Sequence, residues 1–228
     1  MLIKNMEKFE YQPKETNNKE NFEKKESIKK IEKSSLSPDN KIDLILLFLN
    51  KKRAAFLGDF DIAESEEHKE KLIKEFNEEL NSIGLLLNSI NLPYEITRKI
   101  EDDNDVIGFS FTIAGNQDDL NKIKEAEKNK DDRTMGLLLG YPETAVSAYC
   151  TKDALDIHTE IPKEEYDALR KEGMLPFLEF SPSKLHWKEE LDWARNNKKI
   201  IEENSPNTFK EAIEDTEKYI NNIKNGRK

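Results

Sequence analysis

The chain has 228 residues, 37 basic and 47 acidic side chains, a formal charge of −10 and a single cysteine. This length suits one domain with an appendage, Cys150 alone excludes an intramolecular disulfide, and the acidic balance disfavours polyanion binding by the surface as a whole. Leu, Ile, Val and Phe form a quarter of the residues, which suffices for a core, while the longest apolar run, Leu44 to Leu49, is far shorter than the ~18 residues of a membrane span.

Residues 1–36 carry nine lysines and seven glutamates without a sustained apolar stripe. Such a segment buries too little to offset the entropy of ordering, so a disordered or partly helical charged tail over about 1–36 is expected. Met1 to Glu7 lack the apolar run of a secretory leader, and a cytoplasmic setting is the corresponding expectation.

A single α+β domain is expected over 37–228. Ser37-Pro38 is a cap followed by a proline at the first helical position. Ile42, Ile45, Leu46 and Leu49 then recur at helical spacing. Ala54 to Phe60 suits a buried strand. Ser65 opens a second helix carrying Leu72, Ile73, Phe76, Leu80 and Ile83, with Gly84 placed as its left-handed end. The period then changes from helical to alternating. Tyr94, Ile96 and Ile100 share one parity, as do Ile107, Phe109, Phe111 and Ile113, and the polar residues Glu101 to Asp105 between the runs predict a β-hairpin over 94–114.

Helical segments follow at Asp118–Lys128, Asp132–Leu139, Pro142–Tyr149 and from Pro162 to Gly173. Met174–Phe180 reads as a fourth strand. Ser181-Pro182 and Ser205-Pro206 launch two long helices, expected as a C-terminal helical hairpin. A small, mostly antiparallel sheet of about four strands with helices over one face is the predicted architecture.

Arg133 to Tyr149 resembles the helix-turn-helix signature of DNA-binding proteins. The residues that carry the likeness are Gly136 inside the first helix, Gly140 at the turn and Val146 six positions on. Glycine at the turn supplies a positive φ, and a small residue lets the helices approach closely. The resemblance implies buried Met135, Leu139 and Tyr149, and a reading helix that presents Glu143, Thr144 and Ser147, with Lys152 near its end. That helix has no Arg, Asn or Gln to read bases. The Leu139-Gly140-Tyr141-Pro142 stretch also resembles a segment of conserved archaeal and small-genome bacterial proteins whose activity is unknown.

Asp59 and Asp61 point to one side of a strand end, with Glu64 beyond, an arrangement that some Mg²⁺-dependent phosphoryl-transfer enzymes use to hold metal. The alternative for the same residues is a polar strand exit. His68, His158 and His186 share no ligand spacing, and Cys150 is expected as a buried, inert thiol. With no convergent catalytic set, a non-enzymatic module that binds a protein partner or a small ligand, away from membranes, is the leading expectation. Nucleic-acid association through 133–152 is the alternative, and a divalent-metal enzyme the third.

Overall fold

The computed structural model describes residues 16–98 and 106–226. The turn expected at Glu101 to Asp105 lies outside them, as does the start of the expected tail. The first helix, α1, spans Thr16–Glu32, within the segment expected to be disordered or partly helical. Ile28, Ile31 and Leu36 are buried in the core, and Ser205 Oγ donates to Glu32 Oε1 at 2.9 Å. Two aliphatic side chains on the helix and Leu36 just after it, too few to show in a lysine-rich composition, dock this segment.

Next come α2 (Pro38–Phe48), β1 (Ala54–Ile62) and α3 (Glu66–Ser89). Ser37 caps α2 by accepting from Asn40 N at 3.3 Å, and Ser65 caps α3 by accepting from His68 N at 3.2 Å. Gly84 does not end α3. Ile83, Leu87 and Ile90 continue the buried stripe past it, so packing carries the helix through the glycine. Strands β2 (Tyr94–Arg98) and β3 (Val106–Ala114) pair antiparallel, and β3 also pairs antiparallel with β1, giving the order β1-β3-β2.

In this register Ala55 and Leu57 of β1 share a face with Phe109, Phe111 and Ile113 of β3 and Tyr94 of β2. The face packs on α2 and α3 as the main core. Phe109 meets Phe76 edge-to-face at 5.6 Å and Phe111 at 6.0 Å. Each such buried aromatic contributes roughly 1.5–3 kcal/mol.

The opposite face is only partly covered. Leu120 and Ile123 of α4 (Gln117–Asn129) close a second small cluster over Ala54 and Ala114, so helices lie on both faces and not on one. Farther along the same face, Phe56, Phe60 and Ile62 stay exposed. At the β1 edge, Phe60 N–H and Ile62 N–H donate to the Asp59 and Asp61 carboxylates, at 2.8 and 2.7 Å.

The chain continues through α5 (Asp132–Leu138), α6 (Glu143–Thr151), α7 (Lys163–Lys171), α8 (Trp187–Asn204) and α9 (Pro206–Gly226). The expected fourth strand is absent among the described residues: Leu175–Phe177 forms a 3-10 turn, which Pro176 favours and which leaves Glu179 and Phe180 in irregular chain. Ser181-Pro182 does not launch α8 either. Pro182 O accepts from Leu155 N at 2.6 Å and Ser183 N donates to Glu190 Oε2 at 2.7 Å, so these residues are spent on a loop and α8 begins at Trp187. Helices α8 and α9 pack against each other and against α2. No helix among the described residues is long and apolar enough to cross a membrane.

Candidate functional site

Gly136 and Gly140 do the work expected of them in the α5–α6 pair. A Cβ on Gly136 would lie 2.7 Å from Val146 Cγ2, so the helices touch where only hydrogen fits. Gly140 has φ +80°, and a Cβ there would lie 2.9 Å from Lys51 O. That close approach seats the α5–α6 turn on the connection between α2 and β1. Val146 is buried and Leu139 is half-buried.

The exposed edge of α6 is tied to its own partner helix. Arg133 donates to Glu143 Oε1 at 2.5 Å and to Ser147 Oγ at 3.1 Å. Thr144 is exposed, and Lys152 closes the helix in the left-handed region at φ 63°. Tyr149, expected to be buried, is 58% exposed because the side of α6 that it shares with Ala145 borders a cavity. Cys150, expected as an inert buried thiol, is also exposed, in the uncovered last turn of α6.

Asp59 and Asp61 are exposed on β1, each carboxylate accepting from the next backbone N–H. Asp59 borders a polar hollow with Glu79, whose carboxyl is raised above its ordinary value by burial and by Asp59. Glu64 lies beyond the strand, where its N–H donates to His68 Nδ1 at 3.3 Å. Among the described residues no group of three or more His, Cys, Asp or Glu is arranged to hold a metal ion.

A different set of residues converges. A cavity of about 260 Å³ lies between the open sheet face and the α5–α6 pair. It is larger than the ~150 Å³ that holds benzene and slightly below the ~300 Å³ where sites for drug-sized ligands begin. Phe56, Met135, Tyr141, Val146, Tyr149 and Phe180 line it, with Glu179 and Asp132 as its acidic groups. Behind this wall Trp193 meets Phe180 edge-to-face at 5.2 Å and Tyr141 at 6.1 Å.

Glu179 belongs to a buried charge network. Lys52, 1% exposed at its side chain, donates to the carboxylates of both Asp43 and Glu179. Its Nζ also sits 5.7 Å from the centre of the Tyr141 ring. Each member is held by a different element. Asp43 stands on α2, and Lys52 follows that helix, with the neighbouring Arg53 N–H fixed to Leu138 O of α5 at 3.0 Å. Tyr141 arrives through the Gly140 turn, and Glu179 through the chain after the 3-10 turn.

The electrostatics follow from this two-to-one ratio. Burial alone would lower the Lys52 ammonium, but the two carboxylates outweigh burial and raise it, so the amine stays protonated and is no nucleophile. Glu179 is pushed up to about 8, by burial first and then by the Asp43 charge, against the pull of Lys52. The Tyr141 phenol is pushed up to about 12, again chiefly by burial. Near neutrality Lys52 is charged while Glu179 keeps its proton. Glu179 is thus a proton donor or acceptor within reach of solvent, and it borders three cavities.

Sequence reasoning missed all four members. Lys52 sits in Lys51-Lys52-Arg53, a run of the kind that is ordinarily solvated. The available signals were Asp43 and Glu179, single charges inside the apolar runs Ile42 to Leu49 and Met174 to Phe180. No known protein family, curated protein or solved structure matches the chain.

Proposed function

We propose that the protein is a binding module whose cavity between the open sheet face and the α5–α6 pair takes a small, mostly apolar ligand. One observation carries this reading: a carboxyl in excess of what Lys52 needs is held, protonatable, where it borders an aromatic-lined cavity. An apolar pocket with a few convergent polar groups and a perturbed carboxyl is the arrangement that ligand sites use. The same features support binding over base reading. Glu143 and Ser147, the residues a reading helix would present, are engaged by Arg133, and α6 offers no side chain suited to bidentate base contact.

Trp193 stands against two wall residues of the cavity and serves as a reporter. In a Trp187→Phe background, small aromatic probes such as benzyl alcohol should shift Trp193 emission saturably. Ala145→Leu, which fills the cavity from α6, should abolish the shift while leaving the far-UV circular dichroism unchanged. A signal unaltered by Ala145→Leu would place the probe elsewhere and end this reading.

A further inference from the structure

We infer that the ligand of this pocket is a small organic ammonium ion with an apolar body. The inference rests on the reading of the cavity as a ligand site, and the chemistry of its walls sets the charge. Phe56, Tyr149 and Phe180 present aromatic side chains to the cavity, and such faces attract cations through the ring quadrupole. Asp132 and Glu179 supply the carboxyl groups, and among the described residues lining the cavity none is Lys, Arg or His.

Lys52, the cation bonded to Glu179, does not fill this role. It is buried behind Tyr141, is paired with two carboxylates, and uses the Tyr141 ring itself. Its charge therefore leaves one carboxyl surplus, which keeps its proton in the empty pocket; a ligand ammonium would favour the ionised form and complete a two-cation, two-carboxylate set. A carboxylate or phosphate ligand would meet two acids and no donor of opposite charge. A neutral apolar ligand would fill the space and bring no cation to the Asp132 and Glu179 carboxyl groups.

The test is a charge series of matched shape on the full chain carrying Trp187→Phe, read by Trp193 emission at neutral pH with benzylammonium, benzyl alcohol and benzoate. Benzylammonium should bind at least about tenfold more tightly than benzyl alcohol, the scale of one cation–π contact with partial desolvation, and benzoate should give no saturable change. Asp132→Asn and Tyr149→Leu alter exposed residues, so folding is not at stake. Each should weaken benzylammonium several-fold and leave benzyl alcohol nearly unchanged. If benzyl alcohol or benzoate binds as tightly as benzylammonium, the ammonium inference falls and the pocket reading stands. If both variants leave benzylammonium untouched, the inference falls likewise. If none of the three probes gives a saturable change, the pocket reading itself fails and the inference goes with it.

Discussion

Among the described residues two lysines are buried, Lys41 and Lys52, and they are handled differently. Lys41 of α2 pairs with one carboxylate, Glu211 of α9, at 2.7 Å, and that glutamate keeps 45% of its side chain in solvent. One cation meets one anion and two helices are pinned. Lys52 has two carboxylates, Asp43 and Glu179, each about one-fifth exposed. A purely structural site would stop at one, because each additional buried charge costs desolvation that packing does not return. The surplus at Lys52 is the carboxyl that borders the cavities. An unbalanced buried network beside a cavity points to a ligand, whereas a balanced one between helices explains itself as a clamp.

The contrast is broken most directly by removing each amine. Lys52→Met leaves the Asp43 and Glu179 carboxyl groups without their cation in a low dielectric and should cost ~3–5 kcal/mol in urea denaturation at pH 7. Lys41→Met should cost well under half as much, since Glu211 can return to water. Equal losses would erase the distinction. Gly140→Val comes next: a β-branched residue at φ +80° and 2.9 Å from Lys51 O should cost ~1–3 kcal/mol. It should also disturb the placement of Tyr141 over Lys52, read as a change in tyrosine near-ultraviolet signals.

The pH dependence sharpens the same point with a smaller effect. The ordinary Glu179 value is 4.5 and the folded one about 8. Between these values the unfolded chain has lost a proton that the folded chain keeps. The stability linked to this group is therefore fully present below about 4.5, declines as pH rises, and is gone above about 8. Asp39 and Glu79, raised chiefly by burial, act with the same sign, while Asp119, held low by its Arg53 hydrogen bond, acts with the opposite one. The difference between wild type and Glu179→Gln isolates the Glu179 contribution, and its slope should be negative across this window. The smallest effect belongs to Glu143→Lys, which alters the Arg133 pair and no bond of either lysine. It breaks an exposed pair with Arg133 and should change stability by no more than ~1 kcal/mol in the same denaturation assay.

Much of the fold was readable in the letters, for identifiable reasons. The hairpin strands alternate strictly, and Ser37-Pro38, Ser65 and Gly140 mark helix ends by local chemistry that tertiary packing does not override. The misreadings share one cause. Ile28 and Ile31 in α1, the stretch of α3 beyond Gly84 and the coil at Met174–Phe180 take their form from distant partners. Periodicity cannot report those. The candidate site was legible only in its frame. Gly136, Gly140 and Val146 announced the helix pair, but its tight turn serves to set Tyr141 on Lys52. The residues proposed to matter come from four separate stretches of chain whose meeting no spacing rule encodes.

The self-bonded edge of β1 bears on how the molecule behaves in a crowded solution. Phe60 and Ile62 are the sort of side chains that invite neighbouring copies to add strands, and the edge they sit on is otherwise a template for fibrillar stacking. Here the next donors along that edge are already occupied by Asp59 and Asp61, whose negative charges would also confront their counterparts in any symmetric pairing. The two aspartates thereby act as guards of colloidal stability. Replacing them with valine would leave the fold's core untouched and turn this strand into the place where aggregates start.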